Sequence, residues 1–265
     1  VGDSSQDPVA DPAGASAEQR YIQELLDNGL DRYEVHGLLG KGGMGEVYLG
    51  VHRTIEKKVA IKTLSYKYRD DPALNARFLR EAKAASKIRN EHIVDITDFG
   101  ETPQGCSYFV MEWLEGEDLA ETLKREGALP WPRARAILVQ ILEALQAAHE
   151  AGIVHRDVKP ANCYRLTRGR NPDFIKVLDF GIARAPGEHG EALTGTGMIL
   201  GTADYIAPEQ GRAEAIDART DIYAVGVMMF EMLTGKRPFT GRTAIELVSK
   251  HLTEPAPPLL QSSSQ

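Results

Sequence analysis

Val154-His155-Arg156-Asp157-Val158-Lys159-Pro160-Ala161-Asn162 lies between a long amphipathic helical pattern at 132–151, stopped by Gly152, and a short strand pattern around Tyr164. Downstream, Leu178-Asp179-Phe180-Gly181 closes a second strand pattern at 175–178, and Ala207-Pro208-Glu209 comes later. Upstream, Val59-Ala60-Ile61-Lys62 sets a lysine inside an apolar strand, and Gly40-Lys41-Gly42-Gly43-Met44-Gly45 forms a glycine-rich turn. Any one of these strings is compatible with an ordinary turn or strand end. Five of them in this order and at these spacings are not a chance occurrence.

The glycine run by itself is weak. Glycine lets backbone N–H groups approach a phosphate because no side chain intervenes. A dinucleotide-binding turn needs a helix directly after the loop. Here Glu46-Val47-Tyr48-Leu49 reads as a strand, so the loop is expected to be a flap at the tip of a hairpin. A lone lysine in a strand snorkels to solvent by default. Lys62, downstream of a phosphate-type loop, is instead placed to grip phosphate oxygens. Such a lysine needs a fixed counter-charge, and Glu81, midway along the next helical pattern, is the best candidate.

Together the five strings match the signature set of the eukaryotic-type (Hanks-type) protein kinases. The resemblance covers about 33–252, and the run 201–210 is most similar to the bacterial members. It implies an α+β, bilobal protein-kinase-like fold: a small antiparallel-sheet N-lobe, then a mainly helical C-lobe. It also implies transfer of the ATP γ-phosphate to protein Ser/Thr hydroxyls. Gly40, Gly42 and Gly45 would cover the phosphates, Leu39, Lys41, Gly43 and Met44 belong to the same nucleotide-binding loop, and Lys62 would hold the α- and β-phosphates, fixed by Glu81. Asp157 would orient the substrate hydroxyl and accept its proton. Lys159, near the γ-phosphate, favours Ser/Thr over Tyr as acceptor, as does Thr202. Asn162 and Asp179 would ligate Mg²⁺, a hard cation suited to oxygen donors. Phosphoryl transfer passes through a loose transition state, so the work is positioning and charge neutralisation.

The same resemblance places Val47 and Ala60 over adenine, Met111 at the back of its pocket, and the backbone of Glu112 and Leu114 along its edge. Tyr164 stands at the floor position, where the family usually has an aliphatic residue or Met; it could stack, narrow the pocket or turn elsewhere. Arg156 directly precedes Asp157, an arrangement common in kinases switched by phosphorylation of the activation segment, about 182–207 here. Thr194 and Thr196 are the expected phosphosites, since phosphate adds charge that arginine can pair with. Relatives dimerise through the small lobe, which leaves a homodimer open.

The remaining sequence fits around this centre. The chain has 265 residues and a net charge of −7, from 31 basic and 38 acidic side chains, which argues against a nucleic-acid partner. Only Cys106 and Cys163 occur, with no C-x-x-C pair, and the seven histidines show no zinc-ligand spacing. No signal peptide is visible, and the longest apolar run is far below the roughly 20 residues that span a bilayer. A cytoplasmic protein without direct membrane contact is expected. The expected divisions are 1–32, a partly disordered extension with a helix at 17–27; 33–114, N-lobe and hinge; 115–253, C-lobe; and 254–265, a Pro/Ser-rich tail. Strands are expected at 33–39, 46–51, 58–64, 94–100 and 107–112, and helices at 72–89, 132–151, 218–233 and 243–252. The helix at 218–233 is apolar on nearly all faces and should be central.

The resemblance departs from the family after residue 252, where relatives add further helices. The C-lobe is therefore expected to be incomplete, truncated at its C-terminus naturally or because the sequence is a fragment. In relatives the glutamate equivalent to Glu209 pairs with an arginine from that part, and no substitute is evident in the sequence. A non-catalytic kinase fold is the alternative reading. Lys62, Asp157, Asn162 and Asp179 speak against it.

Overall fold

The structure, a computed structural model, describes residues 17–42, 45–179 and 203–259, and of Ala17 and Glu81 the backbone alone. Gly43, Met44, Phe180, Gly181, Thr194, Thr196, Thr202 and the Glu81 side chain lie outside the described residues.

A five-stranded antiparallel sheet of order β1-β2-β3-β5-β4 forms the small lobe. Its strands are β1 (Tyr33–Lys41), β2 (Gly45–His52), β3 (Lys58–Leu64), β4 (Ile96–Glu101) and β5 (Ser107–Glu112). Alternation along β3 sends Val59 and Ile61 to one face and Ala60 and Leu64 to the other, and both faces are buried. The inner face packs on α2 (Pro72–Ala85) through Phe78 and Ala82. The outer face is covered by α1 (Ala17–Asn28), whose Tyr21 and Leu25 are 2% and 4% exposed. Burying a leucine side chain to this extent contributes on the order of 1.5–3 kcal/mol.

Two expected boundaries differ, each for a non-local reason. Helix α2 begins as its chemistry dictates, with Asp71 accepting N–H bonds from Ala73 and Leu74 ahead of Pro72. It stops at Ala85, not at residue 89. Ile88 continues the apolar period but reaches the large-lobe core from a turn. Strand β4 starts at Ile96 because the Val94 N–H donates to the Val177 carbonyl at 3.1 Å, so this stretch pairs with the other lobe.

The chain then crosses by Trp113-Leu114-Glu115 into β6 (Gly116–Asp118) and α3 (Leu119–Glu126), neither read from the sequence. Gly116 is obligatory there, since a Cβ would meet the Arg165 carbonyl oxygen at 2.0 Å. The large lobe follows as α4 (Trp131–Glu150), β7 (Cys163–Arg168), β8 (Asn171–Val177), α5 (Pro208–Gly211), α6 (Ala218–Thr234) and α7 (Ala244–Thr253). Strands β6, β7 and β8 make a second small sheet. Helix α6 is central as expected: Asp217 caps its start, Gly235 in a left-handed conformation ends it, and Met228 and Met232 are fully buried against α4.

Candidate active site

The 154–162 segment has little regular structure, so its backbone must be held from outside. Asp221, 1% exposed in the first turn of α6, does this. Its Oδ2 accepts the His155 N–H at 2.8 Å and its Oδ1 accepts the Arg156 N–H at 2.8 Å. The His149 ring, from the last turn of α4, donates through Nε2 to Oδ2 at 2.7 Å. The Arg156 carbonyl accepts from the Gln210 side chain at 2.9 Å. Arg156 therefore keeps a left-handed φ of 67°, uncommon for a bulky residue and found where surroundings over-determine it.

This scaffold presents the side chains expected to carry chemistry. Lys159 Nζ donates to Asp157 Oδ2 at 2.9 Å. Asn162 Nδ2 donates to the Asp157 carbonyl at 2.8 Å and to its Oδ2 at 3.2 Å. Asp179 is brought alongside by two bonds to its neighbour Leu178. The Leu178 N–H donates to the Asn162 carbonyl at 2.8 Å, and His155 Nε2 meets the Leu178 carbonyl at 2.9 Å. Asp179 itself has a left-handed φ of 48°.

From the small lobe, Lys62 closes the group. It lies on β3 opposite Val47 on β2 and Phe109 on β5. Its Nζ is 2.7 Å from Asp179 Oδ1 and 5.7 Å from the centre of the Phe109 ring. Burial works to raise the Asp179 carboxyl, but the Lys62 charge and hydrogen bond, with His155 and Lys159 beyond, outweigh it and hold the group below the usual carboxylate range. Lysine and aspartate thus meet across the cleft from residues 117 positions apart.

The adenine-side residues also assemble. Ala60 pairs with Met111 in the sheet, and Val47 packs against the same inner cluster. The Glu112 N–H is committed to the Asp95 carbonyl at 3.0 Å, which restricts this residue's use by a ligand to its carbonyl. The Glu112 side chain is held by Lys176 at 2.6 Å. Tyr164 donates its hydroxyl to the Gly116 carbonyl at 2.8 Å, directly after the hinge. Of the flap, Leu39, Gly40, Lys41, Gly42 and Gly45 are described at the β1–β2 tip, and the Gly42 N–H donates to the Gly45 carbonyl at 2.8 Å.

Sequence reasoning missed Asp221. A signal for it existed: Asp217 already caps α6, so a second carboxylate four residues on, in an apolar helix, had to satisfy something other than the helix end. The Glu209 expectation is corrected. Its Oε1 accepts the Thr220 hydroxyl at 2.5 Å, so the carboxylate has a hydrogen-bond partner one helix away that the sequence did not reveal.

Residues 33–262 match the family model described as the protein kinase domain. The serine/threonine-protein kinase pkn3 of Myxococcus xanthus is 42% identical over 229 residues, 86% of this chain and 42% of its own length. The serine/threonine-protein kinase PknB of Mycobacterium tuberculosis is 41% identical over 232 residues, 86% of this chain and 36% of its own. The chain thus spans about two-fifths of the length of the curated relatives it matches. Among solved structures, a mutant of the Mycobacterium tuberculosis PknI kinase domain is similar with a TM-score of 0.64 at 28% identity, covering 88% of this chain and 81% of that one. The unmutated PknI kinase domain has a TM-score of 0.62 at 32% identity, covering 79% and 77%. The family model spans the segments that hold Lys62, Asp157, Asn162 and Asp179 together, and the relatives are bacterial serine/threonine kinases: the chain belongs to the protein kinase domain family, Hanks type, and is most similar to its bacterial members.

Proposed function

We propose that the chain is a serine/threonine protein kinase that transfers the γ-phosphate of ATP to protein hydroxyls. The observation that carries this reading is the convergence of Lys62, Asp157, Lys159, Asn162 and Asp179 in one cleft. Lys62 is placed to hold phosphate oxygens, with Glu81 as its second anchor. Asp157, steadied by Lys159 and Asn162, orients the acceptor hydroxyl and takes its proton.

The donor set fits a divalent ion of the Mg²⁺ kind. Asn162 commits its amide nitrogen to Asp157, which directs its amide oxygen the other way. Lys62 engages Oδ1 of Asp179 across the cleft, and the same carboxylate would serve as the second oxygen donor. Two hard oxygen donors, completed by phosphate and water, suit Mg²⁺. Bound there, the ion supplies neutralisation of charge on the phosphate oxygens. Among the described residues no helix is long and apolar enough to cross a membrane. A cytoplasmic setting and protein substrates belong to this proposal.

Regulation by phosphorylation of Thr194 and Thr196 completes it, with Arg156 as the charge partner. Dimerisation through the small lobe has to accommodate α1, which already occupies the outer sheet face. The test is radiolabel transfer from Mg-ATP to a generic Ser/Thr substrate by this chain and by Asp157→Asn, followed by mass spectrometry of the 182–207 segment. Equal transfer by both proteins refutes the enzyme reading. Transfer without modification at either threonine refutes the regulatory part alone.

A further inference from the structure

Helix α1 stands outside the kinase-domain match, which begins at residue 33. It is nevertheless fixed to the small lobe at three places. Its middle buries Tyr21 and Leu25 against Tyr33 and Val35 of β1, Tyr48 of β2 and Ile61 of β3, and Tyr21 stacks on Tyr66 with ring centres 5.1 Å apart. Its C-terminal end is closed by Gly29, whose N–H donates to the Leu25 carbonyl at 2.9 Å, and by Arg53, which donates to the Asn28 carbonyl at 2.9 Å. Its N-terminal end reaches the flap: Glu18 Oε1 lies 3.9 Å from Nζ of Lys41, between Gly40 and Gly42. Twelve residues make a rod of about 18 Å, long enough to run from the base of the β1–β2 hairpin to its tip.

The flap base under this rod is tightly packed yet incompletely satisfied. A Cβ on Gly45 would meet the Thr63 carbonyl oxygen at 1.9 Å, so no side chain fits between β2 and β3 there. On the face turned to α1, Glu46 Oε2, Tyr48 Oη and Thr63 Oγ1 are buried without a hydrogen-bond partner. Burial pushes the Glu46 carboxyl up, against the pull of Lys41. Buried polar atoms without partners gain from any opening that admits water. The seat of α1 is therefore held by its apolar middle and weakened at its flap end, which makes the hairpin sensitive to how firmly the helix is docked.

We propose that α1 is a positioning element for the nucleotide flap: Glu18, Tyr21 and Leu25 hold the β1–β2 hairpin over the cleft, so that docking of the helix tunes ATP affinity and leaves phosphoryl transfer unchanged. This rests on the kinase reading, and the experiment separates the two. In the full chain, Leu25→Asp undocks the helix, while Glu18→Lys reverses only the charge beside Lys41. Hydrogen exchange over residues 37–50 and the Kd of a fluorescent ATP analogue with Mg²⁺ are measured, with kcat at saturating Mg-ATP. Leu25→Asp is expected to speed exchange over 37–50 about tenfold and raise Kd about three- to tenfold, with kcat within about twofold. Glu18→Lys is expected to raise Kd about twofold in low salt, an effect lost at high ionic strength. If far-UV circular dichroism shows Leu25→Asp to be unfolded, Glu18→Lys decides. Unchanged exchange in both variants, or a fall in kcat with Kd unmoved, overturns the inference. A parent chain that binds no nucleotide overturns the kinase reading instead, and exchange over 37–50 alone then decides what α1 does.

Discussion

The carboxylate of Asp221 accepts the backbone N–H of His155 at 2.8 Å, from a residue 66 positions away and 1% exposed. With the Arg156 N–H on its other oxygen, it sets the backbone on which Asp157 stands. Asp221→Ala leaves both N–H groups and His149 buried without their acceptor. A loss of roughly 3–5 kcal/mol in urea unfolding is expected, with phosphotransfer falling more than tenfold by the free-energy equivalence of about 1.4 kcal/mol per decade. Asp221→Asn keeps one accepting oxygen and is expected to lose less stability while still losing most activity. Wild-type activity in Asp221→Asn would show that the 154–162 backbone is held by other contacts.

Tyr164 joins the large lobe to the exit of the hinge through its hydroxyl on the Gly116 carbonyl. If that bond is what the residue contributes, Tyr164→Phe and Tyr164→Leu should shift nucleotide Kd alike. The expected size is about two- to tenfold, the equivalent of one hydrogen bond of 0.5–1.5 kcal/mol. A shift in the leucine variant alone would mean that the aromatic ring, lying under the base, matters and the hydroxyl does not. Isothermal titration with Mg-ATP distinguishes the two.

The side chains proposed to carry the chemistry were legible because they are concentrated in contiguous strings: His155 through Asn162 needs no distant residue to be recognised. What lay outside the reading depends on contacts between strings. Ile88 extends an apolar period beyond Ala85, yet periodicity does not say whether the last apolar residue reaches the core from a helix or from a turn. Val94 has strand character, but its N–H donates to the Val177 carbonyl, a partner that local pattern cannot supply. The stretch 17–27 announced a short helix and not that one of its faces would cover the outer side of the sheet. Asp221 in an apolar helix signals a carboxylate with a task, but only the fold shows that the His155 and Arg156 N–H groups are what it holds.

Thr220 supplies the hydroxyl that Glu209 accepts, at 2.5 Å and from a residue 1% exposed. Thr220→Val keeps the shape and removes the donor. It is expected to cost about 1.5–3 kcal/mol, the range for a hydrogen bond to a charged group. Thr220→Ser retains the hydroxyl and should recover most of that difference. Thermal melting of the three proteins checks it, and a valine variant as stable as the parent would mean that Glu209 finds another partner.

His251 anchors α7 and brings a pH dependence with a definite sign. Its Nδ1 accepts from the Tyr223 hydroxyl at 2.8 Å, and its Nε2 donates to the Asp204 carbonyl at 3.1 Å. Phe239 packs edge-on at 4.8 Å, and the Asp204 carboxylate is taken by Arg237. Burial pushes the imidazole down from 6.5 to about 4. Between those values the unfolded chain binds a proton that the folded chain refuses. The contribution to stability is therefore complete above pH 6.5 and is lost progressively as the pH falls towards 4, with a slope of up to about 1.4 kcal/mol per pH unit. His251→Gln keeps a donor and an acceptor without the titration. Its unfolding free energy should fall less steeply than the parent's between pH 6.5 and 4, and the difference in slopes isolates this one group from the carboxylates that titrate in the same range. Parallel slopes would mean that the ring is protonated in the folded protein, and that α7 tolerates a charge beside Tyr223 and Phe239.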